Sequence, residues 1–167
     1  MTHCQQVKDR SLAIANRLNL SDSQKTFIQE AAMLHDIGIT RTNTPNIFCT
    51  GEQHYLCHIQ IGHHILIAER LPQHAQVALL HTGVGITRQD IIQNKIPLPI
   101  RDYIPETIEQ RIIAYADSFF TKDPSRIHTP KTLVQVLEEL EQYGQERPLI
   151  FKKWVSEFEP HLQIQSI

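Results

Sequence analysis

The chain has 167 residues and a formal net charge of −2, with 41% hydrophobic and 20% charged residues. This composition is ordinary for one globular domain over residues 1–167 and excludes a disordered or fibrous protein. The basic residues are scattered, no apolar run approaches the roughly 20 residues of a membrane span, and the three cysteines form no CxxC pair. We therefore expect a cytoplasmic protein without membrane contact, for which nucleic acid is not a main partner. A homo-oligomer stays open.

Helices are predicted along most of the chain, because glycine is scarce and apolar residues recur with helical spacing. Residues 39–53 show no such period and contain Pro45, which predicts a long surface loop. Gly38 is expected to cap the helix before this loop, and Thr87 to cap a later one. The predicted helices cover about residues 3–19, 23–35, 55–70, 73–82, 88–94, 105–120, 131–143 and 147–158.

The expected fold is therefore all-α. We predict a compact single-domain helical bundle with its core in about residues 3–120 and C-terminal helices, about 131–158, packed on it.

Several side chains that can bind metal are predicted on the apolar faces of these helices, three, four or seven residues from hydrophobic neighbours. For any single histidine, a core imidazole bonded to a backbone carbonyl is the commoner situation. A buried carboxylate at Asp117 needs an arginine partner or a cation. One divalent ion would explain all of these residues together. They are His3, His35, His58, His81 and Asp117.

His35 and Asp36 are adjacent, so on a regular helix their side chains would diverge by about 100°. They can reach the same ion only where a helix ends. The predicted helix end before Gly38 supplies that condition, and the sequence favours a metal centre at this pair.

With these residues identified, the segment from His3 to about residue 120 resembles the HD superfamily of metal-dependent phosphohydrolases, in the branch whose HD pair extends to HDIG. The superfamily pattern is a first histidine, the HD pair and a last aspartate. Here the pattern is matched by His3 in HCQQV, His35 and Asp36 in MLHDIG, and Asp117 in IIAYAD.

Superfamily members that hold two metals have two further histidines, which His58 in HIQIGHHIL and His81 in LLHTGVG match. The resemblance therefore implies a binuclear site bridged by Asp36. Two departures are present: relatives often have a lysine where this chain has Ile39, and the paired histidine followed by glutamate of the cyclic dinucleotide phosphodiesterases is missing after His81. The substrate of that branch is not expected here.

The resemblance implies hydrolysis of a phosphomonoester or phosphodiester, such as a nucleotide or a small phosphorylated metabolite, by metal-activated water. One or two divalent ions are expected. Manganese, iron or magnesium is favoured, and zinc and nickel remain compatible with the ligands. Two other functions stay open: a non-catalytic HD module that binds a nucleotide or a partner, and a di-iron oxygenase of the HD type.

Catalytic roles are assigned to Asp36 and, as a phosphate donor or leaving-group acid, to His54, which could equally be an ordinary histidine at a helix start. Arg41 in the long loop is the first candidate for binding the substrate phosphate, with Arg88 and Arg101 as weaker ones. A solvated loop arginine is the alternative for Arg41.

Overall fold

Eight α-helices make up most of residues 2–162, the part of the chain that the computed structural model describes. Three short 3-10 helices (Ile37–Arg41, Pro45–Ile47 and Tyr55–Cys57) and a two-stranded antiparallel sheet (β1, Asn43–Thr44; β2, Cys49–Thr50) lie between the second and third α-helices. The prediction of an all-α class is confirmed. The α-helices are α1 Thr2–Arg17, α2 Asp22–Leu34, α3 His58–Ala68, α4 Pro72–Leu80, α5 Arg88–Asn94, α6 Ile108–Asp117, α7 Leu133–Glu141 and α8 Glu146–Phe158.

Helix starts are set by side chains that bind the free backbone N–H groups of the first turn. Thr87 begins α5 in this way, as predicted, through a capping box with Asp90. The sixth helix was expected to begin at residue 105, but it begins at Ile108, because Thr107 accepts the backbone N–H of Gln110 and starts the helix there.

Helix packing brings distant parts of the chain together. α1 packs on α2 and α3 on α4, while α6 lies against α1, α2 and α4. Within residues 2–162, no helix combines the length and apolar character that a membrane crossing requires.

The C-terminal helix α8 anchors α6 through aromatic packing. Phe151 and Phe158 are fully buried, and the Phe151 ring stacks on Tyr115 of α6 with their centroids 4.9 Å apart. Burial of one such side chain stabilises a fold by roughly 1.5–3 kcal/mol. The aromatic contacts therefore fix the position of α6 and of Asp117 at its end.

The segment predicted as a loop over residues 39–53 is more ordered than expected. Its two strands pair with Asn43 opposite Thr50, and the fully buried Thr42 donates its hydroxyl to the carbonyl of Ile39. A Cβ at Gly51 would lie 2.1 Å from the carbonyl oxygen of Arg41, so only glycine permits this close return of the chain.

Gly38 does not cap α2 as predicted. It lies inside the 3-10 helix Ile37–Arg41, where a Cβ would be 2.2 Å from the carbonyl oxygen of His58 and 2.4 Å from the backbone nitrogen of Gly62. The missing side chain thus lets the HD pair approach the first turn of α3, which carries His58.

Candidate metal centre

Six side chains from five helices meet in the interior of the bundle, and each stands at or next to a helix end. They lie in the first turn of α1, just after α2, at the start of α3, just after α4 and at the end of α6. Five of them are at most 5% exposed, and the side chain of Asp117 is 15% exposed. We call this set the Asp36 cluster: His3, His35, Asp36, His58, His81 and Asp117.

The HD pair converges because α2 ends before it. His35 still has helical angles, φ −55° and ψ −33°, but Asp36 has φ −100° and ψ 10°. This turn in the backbone overcomes the divergence of neighbouring side chains on a helix. The expectation that the pair lies at a helix end is confirmed, although Gly38 is not the cause.

One carboxylate oxygen of Asp36 faces what we call the His3 side, formed by His3, His35 and Asp117. Its Oδ2 lies 3.3 Å from Nε2 of both His3 and His35. Asp117 Oδ1 completes this side, 2.9 Å from His3 Nε2 and 3.4 Å from His35 Nε2.

The other carboxylate oxygen of Asp36 faces what we call the His58 side, formed by His58 and His81. Asp36 Oδ1 is 3.5 Å from Nε2 of each of these histidines. The two Nε2 atoms are themselves 3.2 Å apart.

Backbone carbonyls select the tautomer of three of the histidines. Nδ1–H of His35, His58 and His81 donates to the carbonyl of the residue three positions earlier, at 2.7, 2.7 and 3.0 Å. The carbonyl bonds expected for ordinary core imidazoles are therefore present, but they occupy only Nδ1. The Nε2 atoms take no part in these carbonyl bonds and point into the cluster, as in metal sites whose ligands are oriented by an outer hydrogen bond.

Charge differs between the two sides. Burial would lower the pKa of His35, but Asp36 and Asp117 outweigh it and raise that pKa well above its usual value. Burial and the neighbouring His81 lower the pKa of His58 to about 3, so its imidazole is neutral. The carboxylates of Asp36 and Asp117 keep pKa values well below the usual range, because Lys122 and the imidazoles outweigh the burial that would raise them.

The donor set fits divalent metal. Four buried atoms, Nε2 of His3 and His35 and Oδ1 of Asp36 and Asp117, have no hydrogen-bond partner among the described residues, a costly arrangement without a cation. Ligand atoms about 2.0–2.2 Å from one ion lie roughly 3.0–3.6 Å from each other. The separations on both sides of Asp36, 2.9–3.5 Å, are close to that range.

Lys122 is a site residue that sequence reasoning missed. Its Nζ lies 3.0 Å from Asp36 Oδ2 and 3.9 Å from Asp117 Oδ1, and its side chain is 18% exposed. Burial would lower the pKa of the ammonium, but Asp117 and Asp36 raise it well above its usual value. One sequence signal could have pointed to it. Relatives often have a lysine where this chain has Ile39, so the positive charge near the carboxylates had to come from another residue.

A cavity of about 420 Å³ opens beside the cluster, between the loop after α4, α5 and α7. Arg147 of α8 holds one wall in place, since its Nη1 donates to the carbonyl of Gly85 at 2.6 Å and its Nη2 donates to Asp90. The C-terminal helices thus contribute directly to this cavity. Its lining includes Tyr55, Asp117 and Lys122 near the cluster and Ile96, Leu140 and Tyr143 further out.

The structure brings together all six predicted metal ligands but not the predicted phosphate-binding residues. Arg41, Arg88 and Arg101 are exposed and are not among the described residues that line the cavity. Arg88 approaches Asp102 at 4.0 Å, and the Arg101 guanidinium packs over the Tyr103 ring at 4.7 Å. Solvent and these neighbours, rather than a buried anion site, surround the three arginines.

His54 also lies outside the cluster. It is exposed and caps the 3-10 helix Tyr55–Cys57, because its Nδ1 accepts the backbone N–H of Leu56 at 3.2 Å. The structure thus favours the ordinary helix-start role for His54 over the catalytic one.

The fold and the site together define a helical protein with a histidine–aspartate centre. The family model of the HD domain matches residues 1–121, and the chain belongs to this family.

Curated relatives match about 70% of the chain. A tRNA (cytidine(56)-2'-O)-methyltransferase from Picrophilus torridus is 34% identical over 115 residues, which are 68% of this chain and 29% of that protein. The protein of the same name from Thermoplasma volcanium is 31% identical over 74% of this chain and 32% of its own length. The chain thus spans about a third of these relatives. An uncharacterised protein from Methanocaldococcus jannaschii is 31% identical over 70% of this chain and 63% of its own length.

Two solved structures share the fold. The HD domain of the phosphodiesterase PgpH from L. monocytogenes superposes with a TM-score of 0.55 at 22% identity, covering 93% of this chain and 80% of that one. The same domain in complex with cyclic-di-AMP gives a TM-score of 0.52 at 20% identity, covering 99% and 92%.

Proposed function

We propose that the chain is a metal-dependent phosphohydrolase with two divalent ions, one on each side of Asp36. One observation carries this proposal. The two oxygens of the buried Asp36 carboxylate contact different histidines, since Oδ2 faces the His3 side and Oδ1 faces the His58 side. A carboxylate between two cations is a bridging ligand, and paired metals of this kind act on phosphate esters.

His3, His35 and Asp117 would hold one ion, His58 and His81 the other, and Asp36 both. Mixed imidazole and carboxylate ligands favour manganese, iron or magnesium and remain compatible with zinc or nickel. When bound, such ions supply Lewis acidity that activates water and polarises a phosphoryl oxygen.

Lys122 positions the substrate phosphate in this proposal, in place of the arginines suggested by the sequence. Its ammonium contacts Asp36 and lines the cavity together with Asp117, so an anionic phosphoryl group entering from the cavity meets a positive charge beside the Asp117 carboxylate. Tyr55, which also lines the cavity, lies against the His58 ring, with the two ring planes tilted and their centroids 4.9 Å apart.

The organic part of the substrate would occupy the cavity beyond Lys122. Apolar side chains such as Ile96 and Leu140 together with polar groups such as Asp90 and Asn94 suit an amphipathic group, for example a nucleoside or a small metabolite. The two solved structures are of the HD domain of a phosphodiesterase, which supports ester hydrolysis in general. The methyltransferase activity named for the longer relatives is not carried over, because the shared segment is about a third of each.

The test is a screen of the full chain against phosphomonoesters and phosphodiesters, including nucleotides, after loading with Mn²⁺ and separately with Fe²⁺ under argon. We expect phosphate or alcohol release that stops on chelation and returns with metal. Bound metal with no turnover of any ester would favour the binding module instead. Substrate loss that requires both iron and oxygen would favour the oxygenase.

A further inference from the structure

Cys4 lies beside the residues of the Asp36 cluster, although the sequence pattern assigns it no role. It follows His3 in the first turn of α1, and its Sγ, an imidazole nitrogen of His35 and a carboxylate oxygen of Asp36 all lie within 4.8 Å of one another. The other two cysteines lie elsewhere, where the thiols of Cys49 and Cys57 face the carbonyls of Ile47 and Pro97 at 3.7 and 3.5 Å.

A second observation points to a ligand at this place. Nε2 of His35, on a residue that is 0% exposed, has no hydrogen-bond partner among the described residues, and it lies 3.3 Å from Oδ2 of Asp36. Both atoms belong to the two side chains, His35 and Asp36, that lie close to the Cys4 thiol. A cation between them would be within reach of sulfur as well as of nitrogen and oxygen.

We propose that Cys4 is a thiolate ligand of the ion held between His35 and Asp36, in addition to the imidazole and carboxylate ligands. This rests on the metal centre proposed above. On coordination, the thiol proton passes to solvent and a sulfur lone pair forms the bond to the cation, so no oxidant or reductant is needed. Burial raises the pKa of the Cys4 thiol, and the positive charge of the bound cation would offset that cost.

A soft thiolate changes which metal the site selects. Magnesium, which takes oxygen ligands, is disfavoured, whereas iron, cobalt and zinc accept sulfur. The imidazole and carboxylate ligands alone accept a wider range of divalent metals. With Cys4 as an additional ligand, the His3 side would select the softer ions.

Cobalt substitution tests the assignment, because Co²⁺ has visible d–d bands in any ligand field and a near-ultraviolet charge-transfer band only when sulfur is bound. We expect both kinds of band in the full chain loaded with Co²⁺. Cys4→Ser should lose the charge-transfer band and keep the d–d bands. Cys49→Ser, a half-buried cysteine outside the cluster, is the matched control and should keep both.

Three results would overturn the assignment. Visible bands without a charge-transfer band in the parent, or a charge-transfer band that survives Cys4→Ser, would remove Cys4 from the ligands and leave the metal centre intact. Absence of all cobalt bands in the parent would overturn the metal centre as well.

A measurement without a variant guards against misfolding of Cys4→Ser. Alkylation of the native chain, followed peptide by peptide by mass spectrometry, should slow at Cys4 when Zn²⁺ is added and stay unchanged at Cys49. Equal alkylation of Cys4 with and without Zn²⁺ would also overturn the proposal.

Discussion

The two sides of Asp36 share one carboxylate but differ in charge. The His3 side adds a second carboxylate, Asp117, whereas the His58 side has only imidazoles besides the shared carboxylate. The pKa shifts follow this difference, since that of His35 is raised and that of His58 falls to about 3. Asp117 gives the His3 side the larger negative charge for neutralising a divalent cation, although the Lys122 ammonium lies on this side as well. We therefore expect the His3 side to bind its ion more tightly and the His58 side to lose its ion first.

Asp36→Ala should have the largest effect, because it removes the one ligand that both sides share. We expect loss of both ions and of all measurable hydrolysis, checked by elemental analysis of the dialysed protein. Asp117→Ala is the comparison variant and should lose only the ion of the His3 side. Retention of one tightly bound ion by Asp36→Ala would show that the sides do not share a bridge.

His58→Ala and His81→Ala should each affect one side alone. We expect about one ion per chain to remain in each variant, while activity falls by more than the roughly 10–100-fold that loss of an outer-shell partner costs. Metal titration followed by elemental analysis is the measurement. A parent with a single ion that neither substitution displaces would make these histidines core or substrate residues.

Five of the six cluster residues were predictable because each interrupts an apolar helical stripe, and the HD pattern fixes the order of all six. The inward orientation of His58 and His81 could be predicted from the helical spacing of their apolar neighbours alone. Asp36 needed a helix end, and the sequence located that end within one or two residues even though Gly38 was given the wrong role. Close approach between two backbones leaves no local sequence signal beyond the glycine itself.

The residues around the cluster were less predictable. Lys122 follows Asp117 by five positions in an irregular segment without periodicity, and its contact with Asp36 depends on how α6 is placed by α1 and α8. The arginines were chosen for proximity in sequence to the motif, and the ordered hairpin after Arg41 keeps that side chain in solvent. Distances across a bundle are set by packing, which a sequence pattern does not encode locally.

Lys122→Met should separate substrate binding from metal binding. A lost hydrogen bond to a charged group costs about 1.5–3 kcal/mol, so we expect KM for a phosphorylated substrate to rise roughly 10–100-fold. Metal content should not fall, since the substitution removes a competing cation from Asp36. Arg41→Met is the matched control, and its KM should equal that of the parent. A larger effect for Arg41→Met would restore the sequence-based assignment.

Gly38→Ala should have the smallest effect on chemistry and should fall on the His58 side. The new methyl would lie 2.2 Å from the carbonyl of His58 and 2.4 Å from the nitrogen of Gly62, both backbone atoms, so α3 must shift. Overpacking of this kind costs about 1–3 kcal/mol.

We therefore expect a lower melting temperature for Gly38→Ala. Binding of the ion on the His58 side should weaken, while binding of the ion on the His3 side should not change. Gly62→Ala is the control, because its methyl would meet its nearest neighbours at 3.4 Å and alanine is the better helix former. Calorimetry with metal titration on both variants measures the two effects. Equal loss of both ions in Gly38→Ala would mean that α3 and α2 move as one body and that the two sides of Asp36 are not mechanically separate.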